Sequence, residues 1–301
     1  MAQRAFRLGD ARFPHGAFVA LVAANDARVH DVVRRHAAAS GATVVALNSA
    51  MVDEGTDLGS NSVIPVQMPR VAIAGGQGVN GNSFGFAWYA LEQRLGYPAV
   101  PVSTASFGGP VLDEFDVLVV PSMFGGQVNA ERIGQWVRNG GVLITIGNAT
   151  AWATQESSRL SRFRAWSDTA GRGAAADAGA PLPVNVPGAI ARVAADTLSP
   201  LMTGVRDVQF PVLVSGDDVY SVPRDARPGE IVARFAPASS LRIAGYFWPE
   251  APARLGGTPY LWTERVGRGR IIAFAGDPNF RDMWRGLLPL FGNAVLLGRS
   301  F

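Results

Sequence analysis

VAIAGGQGVNGNSFGFAWYALEQRLG, residues 71–96, places a short apolar run, a glycine-rich loop and a helical pattern in direct succession. The run VAIAG is β-branched and apolar, which is typical of a buried strand. The later apolar residues recur at helical spacing and predict one stripe on a helix, formed by Phe84, Trp88, Leu91 and Leu95. A strand that passes through a glycine loop into a helix is the repeating unit of an α/β fold.

The same unit recurs downstream. VLVVP (117–121) and VLITIG (142–147) are apolar without alternation, as in strands whose two faces are both buried. The segment NAERIGQWVRNGG between them predicts an amphipathic helix that Asn129 caps and Gly140–Gly141 end. Strand-like segments then follow, and the chain closes with a helical segment from Phe280. We therefore predict an α/β fold with a largely parallel sheet.

Upstream of residue 68 the pattern is separate. AFVALVA (17–23) and TVVAL (43–47) predict strands on either side of a helix in DARVHDVVRRHAAASG. We predict a strand-helix-strand appendage over residues 1–67 and the main domain over 68–301. Residues 170–188 contain few core-forming side chains and predict a flexible excursion from the domain.

The glycine loop carries a dinucleotide-binding signature, G-x-G-x-x-G, at Gly76, Gly78 and Gly81. Such a site needs the helix to begin within the glycines and an acidic residue after the next strand. Asn82 and Ser83 separate the last glycine from the apolar helix, and the next extended segment, AVPVSTASF, has no Asp or Glu. We predict no dinucleotide and no other cofactor.

The loop also carries G-x-S-x-G, the nucleophile elbow of serine hydrolases, around Ser83. The elbow needs its serine at the end of a strand and a later histidine as base. The histidines of the chain, His15, His30 and His36, all precede Ser83. A helix-capping role for Asn82 or Ser83 is therefore favoured over a nucleophile.

Composition excludes several further classes. The chain has no cysteine, and His30 and His36 are about 120° apart around a helix, so we predict no metal site. The net charge of +3 comes from scattered arginines, which does not suit nucleic acid. No apolar run reaches the ~18 residues of a membrane span. The N-terminus lacks a signal-peptide apolar region, and the compartment stays open.

Four motifs in order resemble the class I glutamine amidotransferase-like fold, a flavodoxin-like three-layer sandwich: VAIAGGQG, DVLVVPSMFGG, ERIGQWVRNGG and VLITIGNATAW. In that family the nucleophilic cysteine lies in the turn after the VLITI-type strand. Here that turn reads Gly147-Asn148-Ala149, and no histidine follows His36. The resemblance implies the scaffold without the triad.

Longer blocks resemble the non-peptidase C-terminal region of bacterial zinc-carboxypeptidase-like proteins: EGTDLGSNSVIPVQMPRVAI, SFGFAWYALEQRLGYPAVPV, LVSGDDVYSVPRDARPG and GRGRIIAFAGDPNFRDMWRGLLPLFGNAVLLG. The peptidase's His-x-x-Glu zinc motif does not occur in this chain. The resemblance implies a non-catalytic accessory or binding domain, with a peptidase domain of the same parent protein as its partner. It leaves open the export of longer relatives.

Ligands of open α/β sheets bind beyond the carboxyl ends of the strands. We predict a cleft for a small polar ligand or a peptide end there, lined by Gly76, Asn80, Asn82, Ser83, Gly125, Asn148 and Asp277, with no catalytic residue among them. Three alternatives stay open. The glycines only make tight turns; the domain is a hydrolase of unrecognised type using Asp277 with Ser83 or a bound water; or exposed aromatics form a docking patch, at Tyr246, Phe247 and Trp248 or at Trp284.

Overall fold

The computed structural model describes residues 1–125, 128–165, 185–205 and 207–301. Their contacts divide the chain into two compact units, Met1–Val66 with Ser300–Phe301, and Gln67–Arg299. The division into an appendage over residues 1–67 and a main domain over 68–301 stays a prediction. Residues 170–184 of the predicted excursion lie outside the described residues, whereas residues 186–188 already belong to a strand.

The first unit contains a hairpin and a helix. Strands β1 (Phe6–Leu8) and β2 (Ala11–Phe13) pair antiparallel, and the Phe6 and Phe13 rings stack with their centroids 4.5 Å apart. A 3-10 turn (Val22–Ala24) precedes helix α1 (Val29–Ser40), which ends at Gly41 in the left-handed conformation, φ 70°.

The predicted helix of this unit is confirmed, but both strands predicted beside it are wrong. Residues 17–23 and 43–47 form no strand. An apolar, β-branched segment becomes a strand only where a second strand pairs with it and a core covers one face. The first condition fails here, because neither segment pairs with a strand. A core does cover one side, since Ala17, Val19 and Leu47 pack partly buried against it, while Phe18 and Val44 are exposed. The strand-helix-strand description of residues 1–67 is therefore corrected to a hairpin followed by a helix.

The centre of the second unit is a parallel sheet. Its strands stand in the order β4-β3-β5-β6-β14 and comprise β3 (Val71–Gly75), β4 (Val100–Ser103), β5 (Val117–Val120), β6 (Val142–Ile146) and β14 (Gly269–Phe274). All five pair in parallel. The unbroken apolar runs of β5 and β6 are buried throughout. The predicted α/β fold is confirmed.

Antiparallel strands extend this sheet beyond β14. They are β8 (Val186–Ala195), β9 (Gln209–Gly216), β11 (Ile231–Phe235), β12 (Arg242–Gly245) and β13 (Pro259–Val266). Strand β13 pairs with β14 and β11, while β8 pairs with β11, β12 and β9. Strands β7 (Arg164–Ala165) and β10 (Tyr220–Ser221) form a separate pair.

Helices cover both faces of the sheet. They are α2 (Gly81–Tyr89), α3 (Ala130–Arg138), α4 (Asn148–Ala153), α5 (Ala238–Leu241), α6 (Ala251–Leu255) and α7 (Leu288–Leu297). Helix α3 packs in one core cluster with Ile271 of β14, whereas Phe291 of α7 meets Phe274 of the same strand, with ring centroids 6.4 Å apart. Because strand residues an odd number of positions apart point to opposite faces, the two helices form outer layers of a three-layer sandwich.

The stripe predicted for this helical segment is only partly buried. Leu91 is buried as predicted, Phe84 and Leu95 are half-buried, and Trp88 is 37% exposed, while the other buried residues are Ser83, Ala87 and Ala90. The buried side chains at 83, 87 and 90 are small, so the helix backbone lies close to the sheet. A π-helical turn, Ala90–Arg94, continues α2.

Candidate functional site

The loops that follow β3 and β5 are bonded to each other at the carboxyl edge of the sheet. Val79 and Met123 form an isolated antiparallel bridge. The N–H of Phe124 donates to the carbonyl of Gly78 at 2.9 Å, and the N–H of Asn80 donates to the carbonyl of Ser122 at 2.8 Å. The glycine-rich loop is thereby fixed beside the β5 loop.

Helix α2 starts at Gly81, immediately after its capping residue Asn80. The Asn80 side chain accepts the N–H groups of Asn82 at 2.9 Å and Ser83 at 3.2 Å. Neither Asn82 nor Ser83 is the cap, so that prediction is wrong. The helix does begin at the last motif glycine, contrary to our first argument against dinucleotide binding. Strand β4 ends in Ser103, where a dinucleotide site has an acidic residue.

Ser83 and Asp277 meet across the sheet edge. The Ser83 hydroxyl donates to Oδ2 of Asp277 at 2.6 Å and accepts the N–H of Ser122 at 3.1 Å. The other oxygen of Asp277, Oδ1, accepts the N–H of Asn279 at 2.9 Å. Ser83 is only 4% exposed. One buried hydroxyl therefore ties the start of α2 to the ends of β5 and β14.

The surroundings of the Asp277 carboxylate change its pKa and that of a neighbouring tyrosine. Burial raises the pKa of Asp277, while the hydrogen bonds from Ser83 and Asn279 oppose that rise. Burial raises the pKa of Tyr260 as well, and the Asp277 charge adds to the effect. A lone carboxylate is a weak base for a serine hydroxyl, because its ordinary pKa is about 3.9.

The turn after β6 stands where the resemblance places a nucleophile. Gly147 adopts φ 55° and ψ −123°, which side chains rarely tolerate, and it carries no side chain. Its N–H donates to the carbonyl of Phe274 at 3.0 Å. The next residue, Asn148, is exposed, and its N–H donates to Oγ of Ser122 at 3.3 Å.

The structure thus brings together part of the predicted cleft. Ser83 contacts Asp277 directly, and Asn80 and Asn148 reach the same cluster through Ser122. Gly76 and Gly125 are exposed, with φ 89° and 122°. Their role in a ligand cleft, like that of Asn82, stays a prediction.

Two members of the cluster were missed by sequence reasoning. Ser122 stands right after VLVVP, and a polar residue at the carboxyl end of a parallel strand is the signal that identifies it. Asn279 ends the sequence Asp-Pro-Asn, which predicts a turn at Asp277 but gives no separate signal for Asn279.

A second charged cluster lies in the antiparallel part of the sheet. The Arg162 guanidinium donates to both oxygens of Glu230, at 2.6 and 2.7 Å, and the backbone N–H of Arg162 donates to Oε2 of Glu264 at 2.8 Å. Ser161 and Trp262 also donate to Glu264. Burial raises the pKa of Glu264 against these bonds. Every group faces another within the cluster, which is typical of a structural network.

The remaining predicted alternatives concern aromatics, metals and membranes. Tyr246 is half exposed and meets Trp248 edge to face, whereas Phe247 is buried, so that patch is narrow. Within residues 1–125, 128–165, 185–205 and 207–301, no three His, Asp or Glu side chains are grouped to hold a metal. None of the helices in this described part combines the length and apolar character that a bilayer span requires.

Solved structures share this architecture. A ThuA-like protein from Bacteroides uniformis is 15% identical, with a TM-score of 0.50 over 75% of this chain and 91% of that chain. The fold is flavodoxin-like. It is the class I glutamine amidotransferase-like arrangement that the motif order predicted. At this identity the likeness concerns the fold alone.

Other similar structures are more distant. A ThuA-like protein from Parabacteroides merdae is 14% identical, with a TM-score of 0.47 over 77% of this chain and 91% of that chain. A β-galactosidase from Bacillus circulans sp. alkalophilus is 17% identical, with a TM-score of 0.45 over 79% of this chain and 32% of that chain. The sequence matches no family model and no curated protein.

Proposed function

We propose that residues 67–299 form a non-catalytic, amidotransferase-like binding domain whose ligand is a small polar molecule or a peptide end. The observation that carries this proposal is Gly147. The strand-to-helix turn that presents a nucleophile in this kind of scaffold here presents bare backbone.

The neighbouring hydroxyl does not replace the missing group. Ser83 is 4% exposed, and its oxygen already holds a donor and an acceptor. Attack on a substrate carbonyl would require the bond from the Ser122 N–H to break and the buried oxygen to become accessible. The hydrogen bond between Ser83 and Asp277 therefore serves best to hold α2 against the sheet.

The groups that face solvent at this edge suit a neutral polar ligand. Asn82 and Asn148 are exposed, and each amide side chain both donates and accepts. Gly76 and Gly125 expose backbone beside them. Such a surface matches hydroxyl and amide groups better than a charge.

The test is a binding screen of the whole chain with short peptides, sugars and nucleotides, read by thermal shift and confirmed by calorimetry. We expect at least one class to bind and Asn148→Ala to weaken it, with Asn61→Ala in the first unit as the matched exposed control. If no compound binds, the glycines make tight turns and the proposal fails.

The alternative function is hydrolysis, and the 2.6 Å contact between Ser83 and Asp277 is the observation in its favour. In that reaction Asp277 would accept the Ser83 proton, and the Ser83 oxygen would attack an ester or amide carbonyl. Assays with acyl esters and peptide amides decide between the two. Turnover that Ser83→Ala abolishes while the fold survives would replace the binding proposal.

We further propose that this domain serves beside a zinc-carboxypeptidase-like protein. What supports this is the order of the long sequence blocks. An antiserum against the 31.8 kDa chain should then detect a longer native protein. Sequencing of that protein should show a His-x-x-Glu motif in its peptidase half. A native protein of the same length, encoded apart from any such peptidase, would contradict the association.

A further inference from the structure

An open pocket lies beside the start of β11, in the antiparallel part of the sheet. Residues 222–223 and 226–229, which precede this strand, line it together with residues 231–234 of β11 and residues 194–196 at the end of β8. Its volume is ≈ 650 Å³, within the range of about 300–1,000 Å³ that small-molecule sites occupy. None of these residues belongs to the cleft predicted at the carboxyl edge of the parallel strands, so the pocket is a second candidate site.

The segment 222–229 is anchored by a buried carboxylate. Glu230 is 8% exposed, and its Oε2 accepts the backbone N–H of Arg227 at 2.9 Å. The guanidinium of Arg162 donates to both oxygens of Glu230 and also to Oδ2 of Asp225 at 2.8 Å. Because these bonds lie within the protein itself, they hold the segment in place independently of any ligand. A pocket that is formed in advance binds at a lower entropic cost.

One part of the lining is apolar. It comprises Val222, Pro223, Pro228 and Ile231. Val222 is 37% exposed and Ile231 is half-buried, so both leave apolar surface open to a ligand. The ring of a proline adds contact area without losing side-chain freedom on binding. This part of the pocket suits the apolar body of a small molecule.

The other part of the lining is charged, and its positive groups outnumber its negative one. Asp196 is the carboxylate, and its Oδ1 accepts the N–H of Leu198 at 3.0 Å. Arg227 and Arg234 are the two cations, and neither pairs with a carboxylate in the described part of the chain. Arg234 donates to the carbonyl of Gly257 at 3.1 Å, and partial burial lowers its pKa. A partly desolvated guanidinium without an anion beside it is the group that an anionic ligand stabilises most.

We propose that this pocket binds an amphipathic anion, in which an apolar body carries a carboxylate or a phosphate that faces Arg227 and Arg234. A guanidinium group donates two parallel N–H bonds to either kind of oxyanion. The apolar body then lies against the prolines and Ile231. This site goes beyond the proposed function, and its failure in the experiment below leaves the binding proposal for the parallel strands unchanged.

The experiment uses the whole chain, labelled with ¹³C at the isoleucine methyl groups, and follows the Ile231 methyl resonance by NMR. The loss of that resonance in Ile231→Val assigns it. Octanoate and octyl phosphate are titrated at constant ionic strength and below their micelle concentrations, with octanamide and inorganic phosphate as comparison probes. We expect a saturable shift with at least one of the two anions, and the tighter binder identifies the charged group. Octanamide lacks the charge and inorganic phosphate lacks the apolar body, so each should bind at least about tenfold more weakly.

Arg234→Gln removes the charge and keeps a polar side chain. It should weaken binding of the better anion about tenfold or more, as expected for the loss of a charge-assisted hydrogen bond. Arg242→Gln, at an exposed position of β12 outside the pocket, is the matched control and should leave the affinity unchanged. If Arg234→Gln does not fold, Arg227→Gln tests the same recognition at an exposed position and should weaken binding about two- to fivefold.

Three results would overturn the proposal. One is the lack of a saturable shift of the Ile231 methyl resonance with either anion. Another is binding of octanamide as tight as that of octanoate, because the pocket would then recognise no charge. The third is an affinity that neither arginine substitution lowers.

Discussion

Replacing Ser83 by Ala removes a single oxygen on which two other groups depend. The Ser122 N–H loses its acceptor, and Oδ2 of Asp277 loses its donor. Leaving a buried polar group unsatisfied costs about 1–3 kcal/mol, and the carboxylate bond lies in the upper part of that range. Because two groups each lose a partner while Asp277 keeps the N–H bond from Asn279, we expect a loss of about 2–4 kcal/mol in the free energy of unfolding.

The assay is urea denaturation at pH 7 followed by tryptophan fluorescence. The tryptophans of the described residues, at 88, 136, 152, 248, 262 and 284, lie within the second unit, so their signal reports the unit that contains Ser83. Ser106→Ala, at an exposed serine in the same unit, is the matched control and should stay within about 0.5 kcal/mol of the native chain.

A double-mutant cycle with Asp277→Asn isolates the contact itself. The two substitutions should couple by about 0.5–3 kcal/mol, since each removes part of the same hydrogen bond. If Ser83→Ala costs no more than Ser106→Ala, or the two changes are additive, Ser83 does not fasten α2 to the sheet and the reasoning is refuted.

Three further predictions rest on other contacts. Burial raises the folded-state pKa of Asp277, so the stability that its protonated form contributes is complete below pH ~3.9 and is lost as pH rises through the folded pKa. Asp277→Asn should therefore flatten the fall in the free energy of unfolding between about pH 4 and 7, measured by urea denaturation. An unchanged slope would contradict this prediction. Gly147→Ala should cost about 1–3 kcal/mol by thermal unfolding because φ is 55°, and no loss would mean that the turn relaxes. Arg162→Ala should cost about 3–5 kcal/mol, because Glu264 remains buried without its cation. The loss should be smaller at about pH 4 than at pH 7, since burial raises the pKa of Glu264, and an equal loss at both pH values would exclude this cause.

The parallel centre of the fold was predictable because its strands are buried on both faces. Such strands are apolar without interruption, as in residues 117–120 and 142–146, and glycines or caps mark the helices between them. The first unit was not predictable in the same way. Residues 17–23 have a strand-like composition, but their state depends on whether a partner strand exists, which local sequence does not encode.

The candidate site was likewise predictable only in part. Topology predicts that Ser83 and Asp277 share one edge of the sheet, since their segments follow parallel strands. It does not predict that the Ser83 hydroxyl is buried, nor that Asn80 rather than Asn82 caps α2, because both outcomes depend on the start of the helix. A shift of one to three residues in that start changes which polar side chain faces inward.

The turn at Gly147 keeps its geometry without a side chain at that position. Its geometry is held from outside the turn: the Gly147 N–H and the Thr150 hydroxyl both donate to the carbonyl of Phe274, and Thr150 also bonds the buried hydroxyl of Thr145. None of these bonds involves a side chain at position 147. Glycine moreover adopts φ 55° without the strain that a nucleophile-bearing residue would store there. The geometry of the turn therefore depends on β6, β14 and α4 around it and not on a side chain at position 147.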